Sequence, residues 1–456
     1  MGFPFDPVGA GLVYNVRSYG AFGDGVHDDT AAWQAALNAA AASRGGTVFA
    51  PVGIYLISQP LSILGDGVYI VGDGIGWEQG VPGQVGYSGA VIEAASSFPT
   101  GKRIISWQDP SSTQLYSGGG IAHISIDCQG VADGVYGFNT YHWIAYDDYV
   151  ANAWSSGIYG ACPKGGTTTA DSMLIEACKV FQTYGNATTI GGVATTPCGI
   201  GIADAMFHSA IAHCYSQQTT GEAYLLGSPI NQSFFLTIDS CVADTPSGSA
   251  FRFESTQDCS LVNSKLYGSA GQNALNLNGG HRAIVIGNRF GPSNSGNNQS
   301  TAAAAMVSLS QDGSIISGNY FYPGSYTSVL VYDNITAGEA PAIVEANIFE
   351  AAGTAGYVTG PSGHISIFRN NQGYNPVGSS VPGTAFALPA SGTAWTNNTG
   401  VDGTLFVTGA GVVTDVVVQG VTVASSLSVG QSYFVPAGGT ITFTYTTAPT
   451  LVFVGN

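Results

Sequence analysis

From residue 175 onward the chain alternates apolar and polar positions in a repeating unit: an aliphatic residue, two variable ones, then Cys, Ser or Asn. The unit appears at 175–178, 211–214, 238–241, 261–264, 285–288, 316–319, 344–347 and 367–370. Successive copies are 36, 27, 23, 24, 31, 28 and 23 residues apart. Between them a second short alternating stretch recurs, ending at Asp204, Gly227, Glu254, Asn278 and Ser310. Short strands with a repeat length mostly in the twenties, joined by Gly, Ser and Asn turns, predict an all-β fold, a parallel β-helix. Each coil lies about 4.8 Å above the last, so equivalent residues stack. Aliphatic residues then line the inside, and Asn288, Asn319, Asn347 and Asn370 form a ladder of turn amides. Cys178, Cys214 and Cys241 take the same inner position as small apolar rungs.

Both ends read differently. Asp28, Asp29 and Thr30 suit an N-cap and first helical turn, and Trp33, Leu37 and Ala40 then share one face, predicting a capping helix over about 29–43. The stretch from Tyr14 through Gly20-Ala-Phe-Gly-Asp-Gly-Val-His-Asp-Asp-Thr30, followed by Gly45-Gly-Thr-Val-Phe-Ala-Pro-Val-Gly-Ile-Tyr55, resembles the opening of the pectate-lyase-like superfamily. This is the branch with rhamnogalacturonase/epimerase-type domains and many phage tailspikes. The resemblance implies a right-handed parallel β-helix whose open end the helix caps, with Asp24, Asp28 and Asp29 as architecture. Val- and Thr-rich segments from Gly403 to Val454 have hairpin spacing and predict a small C-terminal antiparallel β-sandwich. The expected organisation is an arm at 1–13, the β-helix at 14–375 with a loop insertion at about 138–171, a connector at 376–402 and the sandwich at 403–456.

Composition narrows the partners. Of 456 residues 65 are Gly and only 9% are charged, with 11 basic against 28 acidic side chains and a net charge of −17. That sign is wrong for grasping a phosphate backbone or an anionic leaflet, so nucleic acid is an unsuitable partner. No uninterrupted apolar run approaches the roughly 18 residues of a membrane span, so no membrane insertion is expected. The start has no basic region followed by an apolar one, so no secretory signal is read. The seven cysteines are odd in number and lack CxxC spacing, which favours buried thiols over a disulfide framework or a metal site. No cofactor motif stands out. A virion component or an extracellular protein fits these features, and the low charge suggests faces packed in a homotrimer.

In the resembled superfamily the substrate groove lies over the strand that precedes the ladder strand. With Phe251 and Phe253 inward, alternation turns Arg252 and Glu254 outward. Asp204 ends the corresponding strand two coils earlier, about 9–10 Å away along the stack, which suits an inverting carboxylate pair. His208 follows in the next turn. The 138–171 segment offers Tyr141, His142, Trp143, Tyr146, Tyr149 and Trp154 as sugar-stacking rings, with Asp147 and Asp148 reaching over the groove. Glu176 and Asp239, outward on the neighbouring strand, form a reserve pair. A polyuronate needs many bases along its groove, and few are present, so the expected substrate is a neutral or weakly charged polysaccharide. The expected activity is glycoside hydrolysis of tailspike type; a non-catalytic glycan-binding fibre and a lyase or transglycosylase are the alternatives.

Overall fold

The computed structural model describes residues 12–76, 89–108, 115–162, 170–186, 189–190, 193–194, 196–229, 231–267, 272–291, 305–322, 329–335, 339–349, 358–359, 366–372, 386–397, 402–436 and 438–455. Among the described residues three long sheets dominate. The first has 13 strands, from Val13–Asn15 to Ile367–Arg369, and the second has 12, from Asp24–Asp28 to Ile348–Phe349. The third has 14, including Leu61–Ile63 at one end and Val358–Thr359 at the other. Each coil supplies one strand to each sheet, as with Leu174–Glu176, Lys179–Thr183 and Cys198–Ala203. Neighbouring coils pair in parallel and in register, Ile175 with Ile211 and Ile211 with Ile238. The chain is therefore a parallel β-helix, and its core is the stacked aliphatic columns the repeat predicted.

The turn from the first sheet to the second is two residues long and explains the repeat's fourth position. Its first residue is left-handed in coil after coil: Asp147, Ala177, His213, Ser240, Asn263, Ala346 and Asn370 all have φ between 50° and 57°. Its second residue points inward and accepts the backbone N–H of the preceding rung. Cys214 N–H donates to Cys241 Sγ at 3.4 Å, Cys241 to Ser264 Oγ at 3.1 Å and Ser264 to Asn288 Oδ1 at 2.8 Å. Asn288, Asn319 and Asn347 continue the series at 2.9 Å each, ending on Asn371. The last rung is thus Asn371 and not Asn370, because Phe368 rather than Ile367 pairs with Val344 in the core column. All seven cysteines are buried free thiols.

The helix spans Thr30–Ala42 and buries Trp33, Leu37 and Ala40. Asp29 occupies the N-cap position but makes no side-chain cap bond; its carboxylate accepts instead from Phe22 N–H at 2.6 Å and Gly23 N–H at 3.0 Å. Asp28 accepts from Thr30 N–H at 3.0 Å.

The segment at 138–171 is not a loop insertion over its described length. Ile144–Tyr146, Tyr149–Ala153 and Ile158–Ala161 give one strand to each of the three sheets, an ordinary coil; residues 163–169 lie outside the described residues, as do 1–11 of the expected arm. At the C-terminus a four-stranded and a three-stranded antiparallel sheet enclose Leu405, Val416, Val435, Ile441 and Phe443. This unit begins before 403, since Ala394–Thr396 pairs with Thr440–Thr442 and Phe386, Leu388 and Trp395 pack on its core.

Candidate functional site

The outer face of the third sheet brings together Arg252, Glu254 and Glu222, with Asp204 just past the end of a strand two coils before Glu254. Phe251 and Phe253 are fully buried in the main core, so alternation puts Arg252 and Glu254 on the outside. Arg252 Nε donates to Glu254 Oε2 at 2.5 Å, and its other arm reaches Glu222 Oε1 at 3.0 Å. The second Glu254 oxygen accepts from Asn278 Nδ2 at 2.7 Å, one coil further on. Glu222 also accepts from Ser249 N–H. Asp204 is 5% exposed and takes a hydrogen bond from Ser228 Oγ. Ile202 pairs with Leu226, and Gly227 pairs with Glu254. Ala203 therefore stands in register with Glu254 two strands away, and Asp204 follows it just past the strand end, so strand spacing alone separates the two acids by about 9–10 Å or more.

These acids sit at a boundary on that face. Towards the N-terminal coils it carries a second, separate apolar cluster that includes Tyr136, Phe138, Tyr159 and Leu225, all at most 2% exposed. Arg103 lies over the Tyr136 and Phe138 rings, 5.0 and 5.1 Å from their centroids. Asp133, the register partner of Arg103 on the next strand, accepts from Ser155 N–H at 2.7 Å and from the Tyr136 hydroxyl at 3.1 Å. Towards the C-terminal coils the same face opens and becomes polar, with Asn276, Ser308 and Ser310 partly exposed and Asn278 exposed.

Burial sets the protonation of these carboxyls. It pushes Asp204 above the usual carboxylate range, opposed by the Ser228 hydrogen bond. It pushes Asp133 up to about 6, against the Ser155 and Ser156 N–H groups, the Tyr136 hydroxyl and the Arg103 charge. A carboxyl that stays protonated near neutral pH can donate a proton to a leaving oxygen.

The remaining expected residues lie elsewhere. Asp148 is a rung of the inner ladder, accepting Ile124 N–H at 3.2 Å and Tyr146 N–H at 3.1 Å, and burial pushes its carboxyl well up. Asp147 is the left-handed turn residue before it, 2.9 Å from His123 Nδ1. Neither reaches the third sheet, because both belong to the corner between the first and second. Trp143 is sealed in the core, edge-on to Trp107 at 5.6 Å. Tyr149 is buried on the second sheet, and Tyr146 lies in the outward column of the first, one coil before Glu176. Glu176 and Asp239 share that column with Ala212 between them, and Glu176 is 3.4 Å from His213 Nδ1. Tyr141 sits in a small side pairing with Ser117, His142 N–H donates to Asp171 O at 3.1 Å, and the Trp154 backbone pairs with Ala132 and Asn186. His208 stacks on Phe235 with ring centroids 5.2 Å apart and lies 3.3 Å from Asp171. Sequence reasoning missed Glu222, Ser228, Arg103, Asp133 and Tyr136. The one local signal was an acid heading each strand, at Asp133–Phe138 and Glu222–Gly227.

Comparison with known proteins agrees with the fold. Residues 13–155 match the family model described as rhamnogalacturonase A/epimerase, pectate lyase-like. Mannuronan C5-epimerase AlgE5 of Azotobacter vinelandii is 45% identical over 100 residues, covering 19% of this chain and 10% of the epimerase. The match thus spans about a tenth of that relative's length. Among solved structures, DFA-IIIase from Arthrobacter chlorophenolicus A6 in complex with GF2 superposes with a TM-score of 0.58 at 13% identity, over 79% of this chain and 93% of that one. The ORF18 protein of Geobacillus virus E2 gives a TM-score of 0.53 at 16% identity, over 97% of this chain and 76% of that one. Similar proteins thus include phage proteins and polysaccharide epimerases of β-helix fold.

Proposed function

We propose that the protein is a polysaccharide-degrading glycoside hydrolase of tailspike type, acting on a neutral or weakly charged glycan laid across the third sheet. The observation that supports this reading is Glu254 on the outer face with Asp204 just past the end of a strand two coils earlier, where a sealed aromatic layer gives way to an open polar surface. Asp204, whose carboxyl burial raises above the usual carboxylate range, is the acid that protonates the leaving oxygen. Glu254, ion-paired to Arg252, is the base that activates water on the opposite side of the ring; the separation leaves room for that water. The only described base at the open end of this face, Arg252, is engaged by two carboxylates, which disfavours a uronate there and with it a lyase or epimerase step. The fold likeness to a viral protein along nearly the whole chain supports the tailspike assignment, a virion location and a homotrimer.

Digestion of a panel of neutral and uronate polysaccharides tests this, with reducing ends and ultraviolet absorbance read together. New reducing ends without an unsaturated product are expected from the neutral members, and Asp204→Asn and Glu254→Gln each lower turnover by about 10²-fold or more. An ultraviolet-absorbing product would select a lyase. A second reading, a fibre that only binds glycan, is favoured by the full engagement of both Glu254 oxygens; polymers recovered intact would establish it over the hydrolase.

A further inference from the structure

The outer face of the second sheet carries a charge pattern that the third sheet does not use. Its outward column runs Tyr149, Lys179, Tyr215, Val242, Lys265, Arg289, Tyr320 and Ile348, one residue per coil. The alternate positions, Val180, Leu266, Phe290 and Phe321, are buried in the core, so the column lies on the outer side of the sheet; Tyr149 at its N-terminal end is covered, and the residues from Lys179 to Tyr320 are partly exposed or exposed. Lys179 Nζ lies over two rings, 5.5 Å from Tyr149 and 5.3 Å from Tyr215. Lys265 Nζ lies 5.0 Å from the Tyr267 ring and Arg289 lies 5.4 Å from that of Tyr320.

Bases elsewhere in the chain differ in how they are held. Arg252, Arg282 and Arg369 each hold a carboxylate. Among the described residues Lys179, Lys265 and Arg289 form no such salt bridge, in a chain with 28 acidic side chains. One acid lies on this stretch, Asp244, which is buried and takes the Tyr215 hydroxyl at 2.6 Å. Glu93 and Asp127 lie further towards the N-terminal coils of the same face. Three cations without salt-bridge partners thus rest on tyrosine rings in one column, Arg289 exposed and Lys179 and Lys265 partly exposed.

We propose that this column binds an anionic polysaccharide running along the helix axis, separate from the glycan on the third sheet. Coils recur about every 4.8 Å, close to the length of one sugar in an extended chain, so acidic groups can meet the cations while Tyr215, Tyr267 and Tyr320 contact ring faces and hydroxyls. Holding the cations on rings fixes their position before the ligand arrives, which lowers the ordering cost of binding. The shared ligand chemistry is a carboxylate or a sulfate on a glycan. This site is independent of the hydrolase reading.

Binding of sodium alginate, dextran sulfate and unmodified dextran to the full chain at low and moderate salt tests it, in an Asp204→Asn background that keeps the polymers intact if the third sheet is catalytic. Alginate or dextran sulfate is expected to bind, dextran to gain nothing from this face, and binding to weaken as salt rises. The Lys179→Ala/Lys265→Ala/Arg289→Ala variant is expected to lose about tenfold or more in affinity for the polyanion. A Lys265→Gln/Arg289→Gln variant, which leaves the Lys179 stack in place, is expected to lose part of it with an unchanged Tm. Tighter alginate binding assigns a carboxylated ligand and tighter dextran sulfate binding a sulfated one. No polyanion binding at low salt, equal binding by the triple variant, or a change in the triple variant's solution mass, which would make the face a contact between copies, each overturns the proposal.

Discussion

Two regions of this β-helix bury carboxyls, and their difference separates scaffold from site. At the corner between the first and second sheets, Asp148 occupies a position filled in later coils by Cys178, Cys214, Cys241, Ser264, Asn288, Asn319, Asn347 and Asn371. Its oxygens receive backbone N–H groups, which every coil must satisfy at that point. On the third sheet, Asp204 and Glu254 are held by side chains that do not recur from coil to coil, Ser228, Arg252 and Asn278, while Glu222 and Asp133 combine such partners, Arg252 and Tyr136, with backbone N–H groups. A repeated position answers a backbone requirement. A network assembled once, across several coils and beside an open surface, answers none, and that is what singles it out for chemistry.

The contrast is broken most severely by Arg252→Ala. Removing the guanidinium leaves Glu222 and Glu254 facing each other, both under 10% exposed, without their shared partner. A loss of about 3–5 kcal/mol is expected, measured by denaturant unfolding, with Arg252→Met less damaging if Glu222 is also made Gln. A loss under about 1 kcal/mol would place the network on the surface and remove its claim to be a site.

Next comes pH. Asp133 has a folded-state value of about 6 against an ordinary 3.8, so the folded protein keeps a proton that the unfolded chain has released. Its contribution is fully present below about pH 4 and is lost as pH rises through about 6, an effect of about 3 kcal/mol. Asp204 and Asp148 are raised as well and act in the same direction. Stability measured from pH 4 to 7 should therefore fall through this window in excess of any other titration, and Asp133→Asn should flatten the slope. An unchanged slope in that variant would assign the buried proton elsewhere.

The smallest effect is the sharpest for the comparison. Asp148→Asn places at the rung the residue type that Asn288, Asn319 and Asn347 already use. It should be neutral or stabilise by about 1 kcal/mol near pH 7, because it replaces a carboxyl whose ionisation burial opposes while keeping an acceptor oxygen for Ile124 N–H. Turnover should not change, whereas Asp204→Asn should abolish it. Loss of activity in the Asp148 variant would return that acid to the site.

Much of this was legible in the chain. The spacing of Ile175, Ile211 and Ile238 gave the coils, and alternation around Phe251 and Phe253 placed Arg252 and Glu254 outside. The ladder slipped by one residue only at 370–371, where Ile367 and Phe368 are both apolar and either fits the pattern. Two rings were misplaced because their side chains resemble sugar platforms in sequence: Trp143 and Tyr149 have the composition of a binding loop and the positions of packed coil residues.

The sequence by itself determined the β-helix, its stacked core and the side on which each strand residue falls, because a period of two and a coil repeat are local facts. Tertiary structure decided which acids meet which partners. Glu222 and Arg252 are 30 residues apart, and Lys179 and Arg289 share a column only through the register of four intervening pairings. Turn and loop lengths vary between coils, so that register is set by packing of the whole stack. The site on the third sheet and the cation column on the second are both consequences of it.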